Sequence, residues 1–306
     1  MTAASLQQPS ESRPVARMAG LLTSVFKLRI GSEITLTMVA GVAVTPGTGL
    51  PAWQLAALAL AVLMSSASAG AFNQYVERDL DAAMTRTRNR PFVTGALRPG
   101  PHWLAIIALL LVASVLLAGA ATNAAAATQV FLGAFTYGVI YTVWLKRRTW
   151  LNIVFGGLAG TFALLAGAMA VNPDLAIEPA MLAVALFFWT PPHFWSLALY
   201  NRADYQATGV QMLPALLSPR ATAWVILAHT TVLVGFTLVP AFTGLGPVYA
   251  FCAVAGGAWF LYRSARLVAQ PTRAAALQSF KASLVQLSLL LVGAIIDGAI
   301  SGRLVS

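Results

Sequence analysis

The sequence predicts an all-α polytopic membrane protein of about nine transmembrane helices, and three observations carry that prediction. Only 9% of the 306 residues are charged and 58% are hydrophobic, against ~25% charged in an average globular chain. The apolar residues fall into successive runs of the ~20 residues that a helix needs to cross a ~30 Å hydrocarbon core. The charged residues sit in the short gaps between those runs. A mean hydropathy of +0.77 distributed in this way excludes soluble, secreted, collagenous and disordered classes. The net charge of +10 does not point to nucleic acid, because the basic residues mark the gaps between apolar runs instead of one helix or tail. Cys252 is the single cysteine, so no intrachain disulfide forms.

Taken in chain order, residues 1–20 read as a polar, partly disordered tail, without the early apolar core and cleavage site of a removable signal. Residues 21–306 form the membrane domain. Breaking the chain at charge clusters and turn residues places spans near 28–46, 51–72, 102–121, 125–145, 150–171, 179–200, 221–242, 246–262 and 282–301. Lys and Arg then set the orientation. Arg13, Arg17, Lys27 and Arg29 lie in the tail and at the first boundary, and the later alternate loops hold Arg78 to Arg98, Lys146 to Arg148, Arg202 and Arg220, then Arg263 to Lys281. Of the 19 basic residues, 18 fall on one side and only Arg303 on the other. By the positive-inside rule that side is cytoplasmic, with the N-terminus inside and the C-terminus outside a cell (inner) membrane. The opposite loops are too short to hold a catalytic domain.

Chemistry concentrates at the inner ends of two spans. In the stretch Asn73-Gln74-Tyr75-Val76-Glu77-Arg78-Asp79-Leu80-Asp81, the positions 73, 77 and 81 are four apart, so on a helix they share one face over two turns. A carboxamide oxygen and two carboxylates form a hard ligand set suited to Mg²⁺ that still leaves positions for phosphate oxygens. Asp79 points elsewhere. The competing reading, a solvated helix end whose acids pair with Arg78, Arg86 and Arg90, is disfavoured because carboxylates are so scarce in this chain. Arg86, Arg88, Arg90 and Arg98 follow at once, and Lys146-Arg147-Arg148 closes the fourth span; both clusters suit a polyanion as well as topology. In the sixth span, Pro191 and Pro192 remove backbone donors, and the freed carbonyls must face protein or a wet cavity. That locates a cavity near His193. Eleven residues on, Asp204 falls on nearly the same face of a continuing helix, nearer the mouth.

These segments resemble the protoheme IX farnesyltransferases, or heme O synthases. The resemblance rests on Asn73-Gln74-Tyr75 with Glu77, Asp81, Met84, Arg86-Thr87 and Arg90-Pro91; on Tyr141-Thr142, Leu145-Lys146-Arg147-Arg148-Thr149, Asn152, Gly156-Gly157 and Gly160; and on Trp189-Thr190-Pro191-Pro192-His193-Phe194-Trp195 with Asp204-Tyr205, Gly209 and Met212-Leu213-Pro214. It implies a UbiA-type intramembrane prenyltransferase bundle that uses farnesyl diphosphate and heme b as substrates in the lipid bilayer, depends on Mg²⁺ and yields heme O. Heme A synthase or oxidase assembly factors are the implied partners. Mapped onto this chain, Asn73, Glu77 and Asp81 hold Mg²⁺, and Lys146, Arg147 and Arg90 stabilise the leaving group. Asp204 binds a second metal or the basic cluster, Arg86, Arg148, Tyr141 and Tyr205 bind substrate, and His193 meets the iron or a propionate. Three departures stand out: Glu77 where the superfamily usually has Asp, Asp204 without a second Asp four residues on, and Leu28 where the family tends to have proline. The first two fit the heme branch. The rivals are a prenyltransferase for a quinone-ring or chlorophyll-type acceptor, separable by supplying acceptors to purified enzyme, and an ion-coupled transporter. Acids in a transporter should lie near mid-membrane, whereas these lie at one mouth.

Overall fold

The computed structural model describes residues 14–306. Residues 1–13, Arg13 among them, and the side chain of Arg17 lie outside the described residues, so most of the expected polar tail does too. Its last seven residues instead open a helix, α1 (Pro14–Val25). Leu22 and Val25 of α1 explain why it forms, because they pack with Phe26 against Phe92 and Trp103.

Every expected span falls on a helix. The first two are α2 (Leu28–Val44) and α3 (Ala52–Val76), and the short α4 (Arg78–Ala83) and α5 (Pro91–Thr94) follow at the basic end. Next come α6 (Pro101–Ala121) and α7 (Ala124–Phe135), the latter running directly into a π-helix over Thr136–Leu145. A break at Gly157 divides the fifth span into α8 (Asn152–Gly156) and α9 (Leu158–Val171). Then follow α10 (Ile177–Tyr200), α11 (Arg202–Thr208), α12 (Leu213–Leu216), α13 (Pro219–Thr243), α14 (Pro247–Ala269) and α15 (Arg273–Ile300). Seven of the described segments are long and apolar enough to cross a membrane. Of the other two, α2 is 17 residues long, and in α14 Gly, Trp and Tyr together with Arg263 dilute the apolar character. Both are lodged in the same bundle, where neighbouring helices cover them.

Small residues let the helices approach. A Cβ on Gly41 would lie 2.1 Å from the Leu164 carbonyl oxygen, and one on Gly167 2.0 Å from that of Met38, so only glycine permits the α2–α9 contact. The two largest apolar clusters form the centre of the core. Met38, Val42, Leu58, Val62 and Val130 centre one, and Leu182, Leu186, Tyr249, Phe260 and Leu290 the other. At the end away from most of the basic residues, Leu50 bonds Leu304 and Ser306 through the backbone and ties the α2–α3 loop to the last residues.

Candidate active site

Between these clusters a cavity of ≈ 360 Å³ opens at the basic end of the bundle. Its deep walls are apolar, with Ile34, Val62, Ala134, Ala163, Leu186 and Leu287 among them, and its mouth gathers charge. The first motif is at that mouth. The helix is interrupted at Glu77 (φ −92°, ψ 19°), which separates α3 from α4. The i to i+4 backbone bonds nonetheless continue, from Glu77 N to Asn73 O at 3.0 Å and from Asp81 N to Glu77 O at 2.8 Å. Asn73, Glu77 and Asp81 therefore keep one face, and all three line the cavity. They are 2%, 1% and 4% exposed, so they are no solvated helix end.

Each is held by a cation from a different part of the chain. Lys27 Nζ donates to Asn73 Oδ1 at 2.6 Å and to the Tyr137 hydroxyl at 3.0 Å. Lys146 Nζ lies 2.5 Å from Glu77 Oε2. Arg90 grips both oxygens of Asp81, at 2.7 and 2.6 Å. The Asp81–Arg90 pair is thus the one anticipated ion pair that forms within the motif, but it forms inside the site. Glu77 Oε1 is left over, buried and without a partner. A buried carboxylate oxygen with nothing to accept is costly unless something else occupies it.

The π-helix explains how Lys146 gets there. Five residues on an α-helix rotate a side chain ~140° off its starting face, whereas the wider turn of the π form, closed by i→i+5 bonds, brings residues five apart much closer to one face. The bond from Lys146 N to Tyr141 O, 3.0 Å, is of that type. Tyr141 and Lys146 consequently share a face, with the Lys146 ammonium 5.5 Å from the Tyr141 ring centroid. The Tyr137 and Tyr141 rings stack at 5.5 Å, and Gly156 leaves the space that Tyr141 fills, since a Cβ there would lie 2.8 Å from the ring.

Among the other anticipated residues, Arg86, Tyr205 and His193 also line the cavity; Arg86 is exposed at its rim and has no carboxylate partner among the described residues. Three do not reach it. Arg147 pairs with Asp79 on the outer surface at 2.7 Å, where its guanidinium holds the Asp79 carboxyl below the usual carboxylate range. Arg148 turns back to the Trp144 carbonyl. Asp204, in α11 beyond the interruption at Asn201, is not among the residues lining the cavity, and its carboxylate accepts only a long bond from Thr85 at 3.4 Å. The cavity near His193 is present, although α10 runs through Pro191 and Pro192 without interruption.

Lys27 is the residue that sequence reasoning missed, having counted it for topology alone. Its backbone is left-handed (φ 48°, ψ 41°), the only such non-glycine among the described residues. That conformation costs a side-chain-bearing residue about 1–2 kcal/mol, and it turns Lys27 inward at the entry to α2. The unusual first-helix entry, with Leu28 after it, was the available signal. Tyr137 was also missed, because α-helical counting does not bring it into phase with Lys146.

Comparison with known proteins adds an independent line. The model of the UbiA prenyltransferase family matches residues 34–290. The chain is 54% identical over 282 residues to protoheme IX farnesyltransferase 2 of Paramagnetospirillum magneticum, covering 92% of this chain and 98% of that one. It is 44% identical over 274 residues to protoheme IX farnesyltransferase 1 of the same organism, covering 89% and 96%. To the protoheme IX farnesyltransferase of Granulibacter bethesdensis it is 38% identical over 301 residues, covering 92% and 93%. Among solved structures, a digeranylgeranylglyceryl phosphate synthase superposes with a TM-score of 0.77 at 14% identity, over 92% of this chain and 99% of that one. A UbiA homolog from Archaeoglobus fulgidus bound to DMAPP and Mg²⁺ gives 0.69 at 14% identity, over 88% and 98%. At such identities these structures speak for the fold alone.

Proposed function

The chain belongs to the UbiA prenyltransferase family, and from that premise we propose that it transfers the farnesyl group of farnesyl diphosphate to a vinyl group of heme b, with addition of water, to give heme O. One observation carries the reading: Asn73, Glu77 and Asp81 face Lys27, Lys146 and Arg90 at the mouth of a single apolar cavity. Relatives named for this reaction, at up to 54% identity over most of the chain, support the choice of acceptor.

The residues fit Mg²⁺. The donors are hard oxygens, Glu77 Oε1 is buried and unpartnered, and no cluster of three His, Cys, Asp or Glu side chains forms a closed protein cage among the described residues. Mg²⁺ is commonly held in that way, by one or two carboxylates with substrate phosphates completing its shell. Asn73, Glu77 and Asp81 would hold it, and when bound it neutralises charge that develops on the departing diphosphate.

The chain's own groups do the rest. Lys27, Lys146 and Arg90 supply ammonium and guanidinium donors to diphosphate oxygens, and Arg86 adds one at the rim. As the allylic C–O bond breaks, the electron pair leaves with the diphosphate towards these cations. The apolar walls exclude water from the farnesyl cation until the vinyl carbon attacks it and the new C–C bond forms. Water then adds to the resulting benzylic-type cation and loses a proton, leaving the hydroxyethylfarnesyl substituent. Topology supports a basic end facing the cytoplasm of a cell membrane, since 18 of the 19 Lys and Arg residues belong to that side. The product then serves heme A synthase or a heme-copper oxidase through their assembly factors.

Purified protein supplied with heme b, farnesyl diphosphate and Mg²⁺ should yield a product heavier than heme b by one farnesyl group and one hydroxyl group, read by mass spectrometry. No such product, with a quinone-ring acceptor farnesylated in its place, overturns the assignment of the acceptor.

A further inference from the structure

His193 of α10 is clamped with unusual completeness. Its ring stacks on Trp189 at 4.2 Å (20° between planes), lies 4.7 Å from Phe280, and meets Phe194 edge-on at 5.0 Å. Its Nδ1 is 2.7 Å from Ser283 Oγ on α15. The direction of that bond is settled by the serine, whose own hydroxyl proton is donated to the Phe280 carbonyl at 2.6 Å. Ser283 Oγ therefore accepts, and His193 carries its proton on Nδ1. Trp189 Nε1 holds the same serine by its carbonyl at 3.0 Å, so α15 is fixed against α10 on both sides of the ring.

With Nδ1 protonated, Nε2 of the neutral ring presents a lone pair. It has no protein partner among the described residues. It is also not sealed off in the way Trp195 Nε1 and the Gln286 amide are, and His193 lines the cavity. A histidine kept only for packing needs no such arrangement. A second-shell group that fixes one ring nitrogen as a donor is how proteins aim the other at a metal. A hydrogen bond to a heme propionate would need a proton on Nε2, which this tautomer lacks.

Resting on the reading that the acceptor is heme b, we propose that His193 Nε2 is an axial ligand to the substrate's iron, and that Ser283 is the positioning residue that fixes its tautomer. Ligation sets the porphyrin plane perpendicular to a ring direction fixed by Trp189 and Phe280. It thereby defines which edge of the macrocycle is turned towards the allylic carbon.

The experiment is a titration of ferric heme b and of metal-free protoporphyrin IX into the full-length protein in nanodiscs, followed by absorption and electron paramagnetic resonance. The wild type should give an imidazole-ligated iron spectrum and prefer heme to the metal-free ring. His193→Ala should lose both, keep farnesyl diphosphate binding, and recover the spectrum when imidazole is added. Ser283→Ala should weaken heme binding about 10–100-fold, as outer-shell changes commonly do, with Ser283→Thr restoring it. Should the alanine variant misfold, His193→Gln serves with the same expectations apart from rescue. An iron spectrum unchanged in the His193 variant overturns the ligand, and unchanged heme affinity in Ser283→Ala overturns the positioning role. Wild-type protein that makes heme O while His193→Ala keeps its iron spectrum defeats this inference alone; wild-type protein that neither binds nor farnesylates heme defeats the proposed function as well.

Discussion

Lys146 and Glu77, 69 residues apart in sequence, meet at 2.5 Å from Nζ to Oε2, and the pairing leaves Glu77 Oε1 buried with nothing to bond. The orphaned oxygen and the ammonium beside it make this position the most exacting in the cavity, and substitutions here should separate metal binding from diphosphate binding.

Glu77→Gln keeps the shape and removes the charge. Farnesyl transfer should fall about 10²–10³-fold, the usual cost of deleting one group that stabilises a developing charge. The Mg²⁺ concentration for half-maximal rate should rise on the order of tenfold or more. Steady-state rates over an Mg²⁺ series read both, and a normal rate in a folded variant defeats the metal assignment.

Lys27→Met should raise the KM for farnesyl diphosphate about 10–100-fold, the equivalent of one charge-assisted hydrogen bond worth about 1.5–3 kcal/mol. Arg29→Met, two residues away and exposed, should not change it. Equal effects of the two variants would mean that Lys27 acts only through the electrostatics of topology.

Arg147→Gln and Arg148→Gln should leave turnover within about threefold of wild type, because neither side chain reaches the cavity and exposed pairs contribute little. The Asp79–Arg147 pair has a defined pH sense. Its folded Asp79 pKa is depressed, so whatever stability it contributes is present above the unfolded value of about 4 and is lost as pH falls through the lower, folded one. Thermal unfolding of wild type and Arg147→Gln should thus coincide more closely in acid than at neutral pH.

Chelation of divalent ions should abolish transfer and Mg²⁺ should restore it, whereas the unfolding midpoint of ligand-free protein should hardly move. Among the described residues the carboxylates of the motif are already paired with internal cations, so the fold does not lean on the metal. Differential scanning fluorimetry with and without chelator checks this.

The bundle was legible in the sequence because each span is a long apolar run, and a helix is the only way such a run satisfies its backbone in lipid. The Asn73–Glu77–Asp81 face was legible for a similar reason: a spacing of four survives the break at Glu77 through the continuing backbone bonds. What could not be read depends on departures from α-helical phase. The π-helix over Thr136–Leu145 shifts Tyr141 and Lys146 into register, Asp204 falls in the separate α11, outside the cavity lining, and the left-handed backbone at Lys27 turns an apparent topogenic charge into a wall of the site. Each is a local backbone choice imposed by tertiary contacts, and none leaves a periodic trace.

The resting arrangement of Lys27 on Asn73, Lys146 on Glu77 and Arg90 on Asp81 has a thermodynamic corollary. An ion arriving alone must compete with resident ammonium and guanidinium groups, and a polyphosphate arriving alone must draw those groups from their carboxylates. Arriving together, each takes over the partners that the other displaces and charge balance is kept throughout. On the proposed assignment, affinity for either component is raised by the other to the same degree, as linkage requires, so free magnesium or stray phosphate alone should occupy the site weakly.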